Sequence, residues 1–190
     1  MTDDVVKSFR RRIGFLPEFQ ILHHICYTVQ VKNYAFIDSQ NLHKSMEAMG
    51  YIIDYRRFRL WLKNRHQVTR AFMYFGYMEN KEGMYGHLRR CGFELVFRDV
   101  EYHLGRTKGN VDICLTISVL EMLKDFGKAY LITSDGDFFD LTEKLKREGR
   151  FGGVISPQTN KRCSTLLKKS CAGNISFVPD VIHKFDARQN

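Results

Sequence analysis

Several things are missing from this 190-residue chain, and each absence removes a class of protein. No run approaches the ~18 consecutive apolar residues of a membrane span. Asp3 and Asp4 precede the FRRR cluster at residues 9–12, and no continuous apolar stretch intervenes, which argues against a secretory signal. The expectation is a cytoplasmic protein with no membrane partner. The five cysteines (Cys26, Cys91, Cys114, Cys163 and Cys171) contain no C-x-x-C pair, and none stands at zinc-finger spacing from a histidine. They read as small core residues, Cys114 above all, because it lies in an apolar run. No glycine-rich Walker loop precedes a helix, so cleavage of a nucleoside triphosphate lacks its phosphate cradle. No G-x-S-x-G elbow presents a serine nucleophile. There is no internal repeat, low-complexity tract or long linker.

What remains is an ordinary globular composition, 44% hydrophobic and 27% charged, at a length that suits one domain with a proper core. Thirty Lys and Arg against 21 Asp and Glu leave a net charge of +9, which favours a polyanionic partner through counterion release. Residues 1–31 read as a basic, helical extension in which EFQILHHICYTV (18–29) is the helix, residues 32–180 as the domain, and 181–190 as a tail. Apolar runs predict buried strands at 33–38, 69–78, 93–100, 128–133, 151–156 and 174–178. Helical patterns lie between them at 39–50, 54–65, 81–92, 111–127, 137–148 and 160–171, several closed by glycine. Residues 101–110 read as a loop, and helix 111–127, apolar on almost every side, as deeply packed. Strands alternating with helices imply a parallel sheet covered on both faces.

Within that pattern the acids take particular places. The segment LITSDGDFFDL (131–141) runs from an apolar strand into Asp135 and Asp137, and Asp38 ends the first strand. In an open parallel sheet, ligands bind beyond the carboxyl ends of the strands where chain order reverses. If the first and fourth strands flank that reversal, Asp38, Asp135 and Asp137 converge, and Asp112 at the start of the apolar helix can join them. Two unit charges ~4 Å apart repel by roughly 4 kcal/mol at an effective dielectric of ~20. Four such carboxylates need protons, solvent or a cation between them. A hard divalent ion is held by one or two carboxylates together with waters and phosphate oxygens. In a basic protein that combination suggests phosphodiester hydrolysis.

The motifs FIDSQNL (36–42), KGNVDICL (108–115) and LITSDGDFFDL (131–141), in that order, resemble the NYN domain, a branch of the PIN-like ribonucleases, and within it the LabA-like bacterial group. The resemblance covers about residues 32–157. It implies a Rossmann-like three-layer α/β/α sandwich with a mainly parallel sheet, and Mg²⁺- or Mn²⁺-dependent cleavage of RNA; the leading expectation is an endoribonuclease acting on single strands. Residue by residue, it implies that Asp38, Asp112, Asp135 and Asp137 hold the metal and its water. Asn41 would orient metal or substrate, and Thr133 and Ser134 would assist beside the acid pair. Arg106 and Lys108, with His103, lie in the loop before Asp112, within reach of a phosphate. The chain departs from the group's pattern at Ser118, where another acid is usual, at Ser39 and Ser134, which replace glycines, and at Asn110, an insertion.

Plainer readings stand beside these. Asp38, Asp112 and Asp137 could each serve a helix N-terminus, but capping does not require all the acids to meet at one sheet edge. The arginines of YRRFRLWLKNRH (55–66) suit single-stranded RNA beside their aromatics, or simply face water while the aromatics face the core. A non-cleaving member of the family that binds RNA or a protein is the alternative function, favoured by Ser118. A haloacid-dehalogenase-like phosphatase is disfavoured, since its aspartate pair follows the first strand rather than the fourth. Homodimerisation stays open.

Overall fold

The first strand shows how this sequence builds its sheet. In β1 (Asn33–Asp38) every residue is buried, and alternation sends Tyr34 and Phe36 into one layer, Ala35 and Ile37 into the other. A strand buried on both faces reads as a continuous apolar run, as parallel strands do. The computed structural model describes residues 32–98, 101–103, 106–108 and 111–188. The extension expected at 1–31, with its helix at 18–29, lies outside them.

After β1 come α1 (Ser39–Ala48), α2 (Tyr55–His66), β2 (Val68–Gly76), α3 (Glu82–Arg90) and β3 (Glu94–Arg98). The chain continues through β4 (Glu101–His103), β5 (Arg106–Lys108), α4 (Val111–Glu121), β6 (Ala129–Ile132) and α5 (Phe139–Arg147). It ends with β7 (Phe151–Ser156), α6 (Thr165–Cys171), β8 (Ile175–Phe177) and α7 (Val178–Val181). Six strands form one sheet in the order β3-β2-β1-β6-β7-β8, every neighbouring pair parallel. The chain starts in the middle, grows outward through β2 and β3, then returns to the other side of β1 for β6, β7 and β8. Chain order therefore reverses between β1 and β6.

Helices cover both faces. Leu115 and Val119 of α4, Leu141 and Leu145 of α5, and Leu167 and Cys171 of α6 pack with Tyr34, Phe36 and Phe72. On the opposite face Leu42 and Met46 of α1, Phe58 and Leu62 of α2, and Leu88 of α3 pack with Ile37 and Met73. This is the three-layer α/β/α sandwich expected. Where β7 meets β6 the register shifts at Gly152, whose missing Cβ would stand 2.8 Å from the Tyr130 ring and 2.9 Å from the Ala129 carbonyl. Only glycine allows that approach. Among the described residues, no helix is long and apolar enough to cross a membrane.

Four local expectations change. Residues 101–108 are not a loop throughout: β4 and β5 pair antiparallel, Glu101 with Lys108, Tyr102 with Thr107, and His103 with Arg106. Helix α4 is shorter than 111–127 and not deeply packed on all sides. It buries Leu115 and Val119 but exposes Ile113, Ile117 and Leu120, because one face is all that the sheet can cover. The basic helix starts only at Thr165, where the Ser164 hydroxyl caps it by accepting from Leu167 N. The stretch read as a tail adds Ile182 and Phe185 to the core, and Phe185 O accepts from Asp54 N.

Candidate metal and nucleic-acid site

Because β1 and β6 are adjacent and parallel, the residues that follow them emerge side by side at the carboxyl edge. Asp38 ends β1 and is only 6% exposed. Its Oδ1 accepts the Asn41 N–H at 2.9 Å and so caps α1. Thr133 and Ser134, both buried, follow β6. Asp135 then caps a 3-10 turn at Gly136–Phe138, its Oδ1 accepting the Asp137 N–H at 3.1 Å. Asp112 sits in the first turn of α4. The capping reading of Asp38 is thus met, and the turn cap expected of Asp137 falls instead to Asp135, yet each of these two uses Oδ1 for a local bond while its carboxylate stays within the field of the other acids.

That field appears in the protonation of the group. Burial, the largest cause, pushes the Asp38 carboxyl from its ordinary 3.8 up to about 6. The Asn41 N–H opposes this, and the neighbouring charges of Asp112 and Asp135 add to the rise. Asp112 is also raised, by burial first and then by Asp135 and Asp137. All four predicted carboxylates therefore belong to one electrostatic cluster. They do not close into a tight shell: among the described residues, no three His, Cys, Asp or Glu side chains converge closely enough to hold an ion unaided. An open arrangement of hard oxygens with no sulfur or imidazole fits a cation that keeps most of its waters. The buried Ser39 Oγ, beside Asp38 in sequence and without a hydrogen-bond partner, adds an oxygen of the same kind.

The loop carrying Asp135 is held from both sides. Asn41 Oδ1 accepts from Ser134 N at 3.1 Å and from Ser134 Oγ at 2.8 Å, joining α1 to a loop 93 residues away. Thr133 Oγ1 accepts from Asp135 N at 3.2 Å. These polar atoms of Asn41, Thr133 and Ser134 thus support the acids. Arg106 and Lys108 lie on β5, just ahead of α4, in register with His103 and Glu101. Ser118 lies beside the buried Tyr74 hydroxyl.

Sequence reasoning missed Ser164. Its N–H donates to Ser134 O at 3.2 Å, and its Oγ stands 2.5 Å from where a Cβ on Gly136 would be. The only hint was the glycine between the two acids, which leaves room for that hydroxyl.

With the geometry in place, comparison with known proteins gives three results. A solved structure, that of a protein of unknown function from Vibrio parahaemolyticus, superposes with a TM-score of 0.67 at 25% identity, covering 82% of this chain and 95% of that one. No curated protein matches the chain. The family model of the NYN domain matches residues 32–177, which takes in β1 through β8 and all four acids. The chain belongs to the NYN domain family and, through it, to the PIN-like superfamily with its nuclease-like fold.

Proposed function

We propose that this protein is a divalent-metal-dependent ribonuclease that hydrolyses phosphodiester bonds within single-stranded RNA. One observation carries the reading: Asp38 and Asp112, each raised by burial and then by the charges of neighbouring acids, gather with Asp135 and Asp137 at the point of chain reversal, in a chain of net charge +9. Like charges gathered at one edge disfavour the empty fold, and a ligand of opposite charge accounts for their retention. The four acids would hold Mg²⁺ or Mn²⁺, and such an ion supplies charge neutralisation at the phosphate and a more acidic water.

The chain's own residues do the positioning. Asn41 and Thr133 fix the Ser134–Asp137 loop, so that Asp135 faces Asp38 and Asp112 with little freedom to rearrange. Arg106 and Lys108 are assigned to the substrate backbone. The free cysteines at 91, 114, 163 and 171 support a reducing compartment such as the cytoplasm for this enzyme.

The test is cleavage of end-labelled single-stranded RNA with Mg²⁺ or Mn²⁺, with and without chelator, by the wild-type protein and by Asp135→Asn. Wild-type protein should shorten the RNA only when metal is present. The variant should lose at least a hundredfold in rate, on the scale of a removed charge-stabilising group, while keeping its fold and RNA affinity. Full-rate cleavage by Asp135→Asn refutes the assignment. A second reading, an RNA-binding module that does not cleave, draws on Ser118 standing beside Tyr74 where a further acid is expected. Its signature is binding without metal-dependent shortening.

A further inference from the structure

We infer that the RNA strand crosses the carboxyl edge of the sheet at right angles to the strands, with a base resting on Tyr77 and Met78 on the β2 side and its backbone held by Lys161 and Arg162 on the β7 side. This rests on the nuclease reading, because the four acids lie between the two flanks. Sheet order places β2 next to β1, which carries Asp38, and β7 next to β6, which leads to Asp135. Neighbouring strands lie ~4.8 Å apart, so the path from β2 to β7 is roughly 15 Å, the reach of a few nucleotides.

The β2 flank is an apolar shelf already held in place. Past Gly76, Tyr77 is 36% exposed and Met78 40%. The Tyr77 ring stacks on Tyr85 with centroids 6.1 Å apart and meets Phe97 edge-on at 5.5 Å. Its hydroxyl donates to Glu82 Oε1 at 3.1 Å, and its N–H to Arg98 O at 3.2 Å. A ring held by three neighbours on an anchored backbone loses little freedom when a base stacks on it, which is how aromatic platforms bind unpaired nucleotides. Duplex RNA keeps its base faces buried and cannot use such a shelf.

The β7 flank is a rigid basic turn. Thr159 O accepts from both Arg162 N and Cys163 N at 3.0 Å, and Lys168 Nζ donates to Asn160 O at 2.8 Å. The bond from Ser164 N to Ser134 O ties this turn to the acid loop. Lys161 and Arg162 project from it exposed, and neither forms an ion pair within the described residues. Two exposed cations on a turn tied to the acid loop, paired with no carboxylate among the described residues, suit an external anion. The Tyr77 ring and the Met78 thioether carry no charge, so the two flanks bind by different physics, and salt separates them.

The experiment measures binding of a fluorescent single-stranded oligoribonucleotide in chelator across a salt series, and steady-state cleavage with metal. Lys161→Ala combined with Arg162→Ala should raise KM several-fold, keep kcat, and reduce the log–log salt slope by about 1.4, since each single-strand phosphate contact contributes ~0.7. Tyr77→Ala should weaken binding about tenfold with the slope unchanged, and Tyr77→Phe should restore it. Met78→Ala, at a more exposed position, should weaken binding in the same salt-independent way, and judges the shelf even if Tyr77→Ala does not fold. Wild-type slope and affinity in all of these variants overturn the track, as does equal affinity for a duplex of the same sequence. Stronger competition by poly-glutamate than by RNA overturns it too, in favour of an acidic protein partner. If the wild-type protein binds with these signatures but never cleaves, the nuclease reading fails and the track stands.

Discussion

At the scale of single residues, Asp38 shows a site held against stability. Its raised carboxyl means that the folded protein binds this proton more tightly than the unfolded chain does. Above about pH 6 the folded carboxylate is therefore a burden, and the burden lifts as pH falls through 6 towards 3.8. A rise of that size corresponds to about 3 kcal/mol at neutral pH, an upper figure for a partly hydrated edge. Asp38→Asn keeps an oxygen to cap Asn41 and removes the charge. In chelator at pH 7.5 it should stabilise the protein by about 1–3 kcal/mol in urea unfolding while abolishing cleavage. A loss of stability would show that burial is not what raises this group. The four acids were legible in the sequence because Asp38 and the Asp135–Asp137 pair close apolar strands, Asp112 opens an apolar helix, and their motifs occur in a recognisable order. Asn41's bonds to Ser134 were not legible, since nothing local marks a carboxamide for a loop 93 residues away.

At the scale of elements, strands and helices were legible wherever burial imposes a period. β1, β6 and β7 fall where the apolar runs place them, because a central parallel strand must be apolar on both faces. The β4–β5 hairpin was not legible: Glu101–His103 and Arg106–Lys108 carry charge rather than an apolar alternation, and only their pairing makes them strands. Helix α4 misled in the other direction, since a helix apolar all round normally signals burial on every side. The start of α6 was hidden because Ser164 has two roles, capping α6 and abutting the acid loop. That double role can be tested. In Gly136→Ala the new Cβ meets Ser164 Oγ at 2.5 Å, so either the cap or the loop must give way. The variant should lose about 1 kcal/mol, the usual worth of a cap, and show reduced cleavage. Adding Ser164→Ala leaves only a 3.4 Å approach from the Ser164 Cβ and should recover much of the activity. Additive losses in the double-mutant cycle would mean that the two residues do not press on each other.

At the scale of the whole molecule, a buried carboxyl and a half-buried imidazole near opposite ends of the strands respond to acid with opposite signs. His66 precedes β2 at the amino edge, its ring between Trp61 (4.9 Å) and Tyr130 (4.6 Å), and its carbonyl accepts from Asn33 Nδ2 at 2.8 Å. Burial, and then the charge of Arg65, lower it from 6.5 to about 4. The unfolded chain takes up this proton below pH 6.5 while the fold refuses it until about 4, so the contribution of neutral His66 is lost as pH falls through that window. Asp38 acts in reverse between 6 and 3.8, and Asp112, also raised, acts with it. The wild-type protein should therefore change little in stability between pH 6.5 and 4.5 from these groups, because they offset. Removing one should expose the other. In chelator, Asp38→Asn should lose stability more steeply than wild type over that range. His66→Phe, which also removes a buried Nε2 that has no hydrogen-bond partner, should lose less than wild type or gain. Urea midpoints at pH 7.5, 5.5 and 4.5 for the three proteins decide it, with every other titrating group common to all of them. The sites are separated by the length of β1, about 17 Å at 3.3 Å per residue, so the double variant should be the sum of the singles. Parallel pH profiles for all three proteins would mean that neither group is held in the fold as its surroundings require.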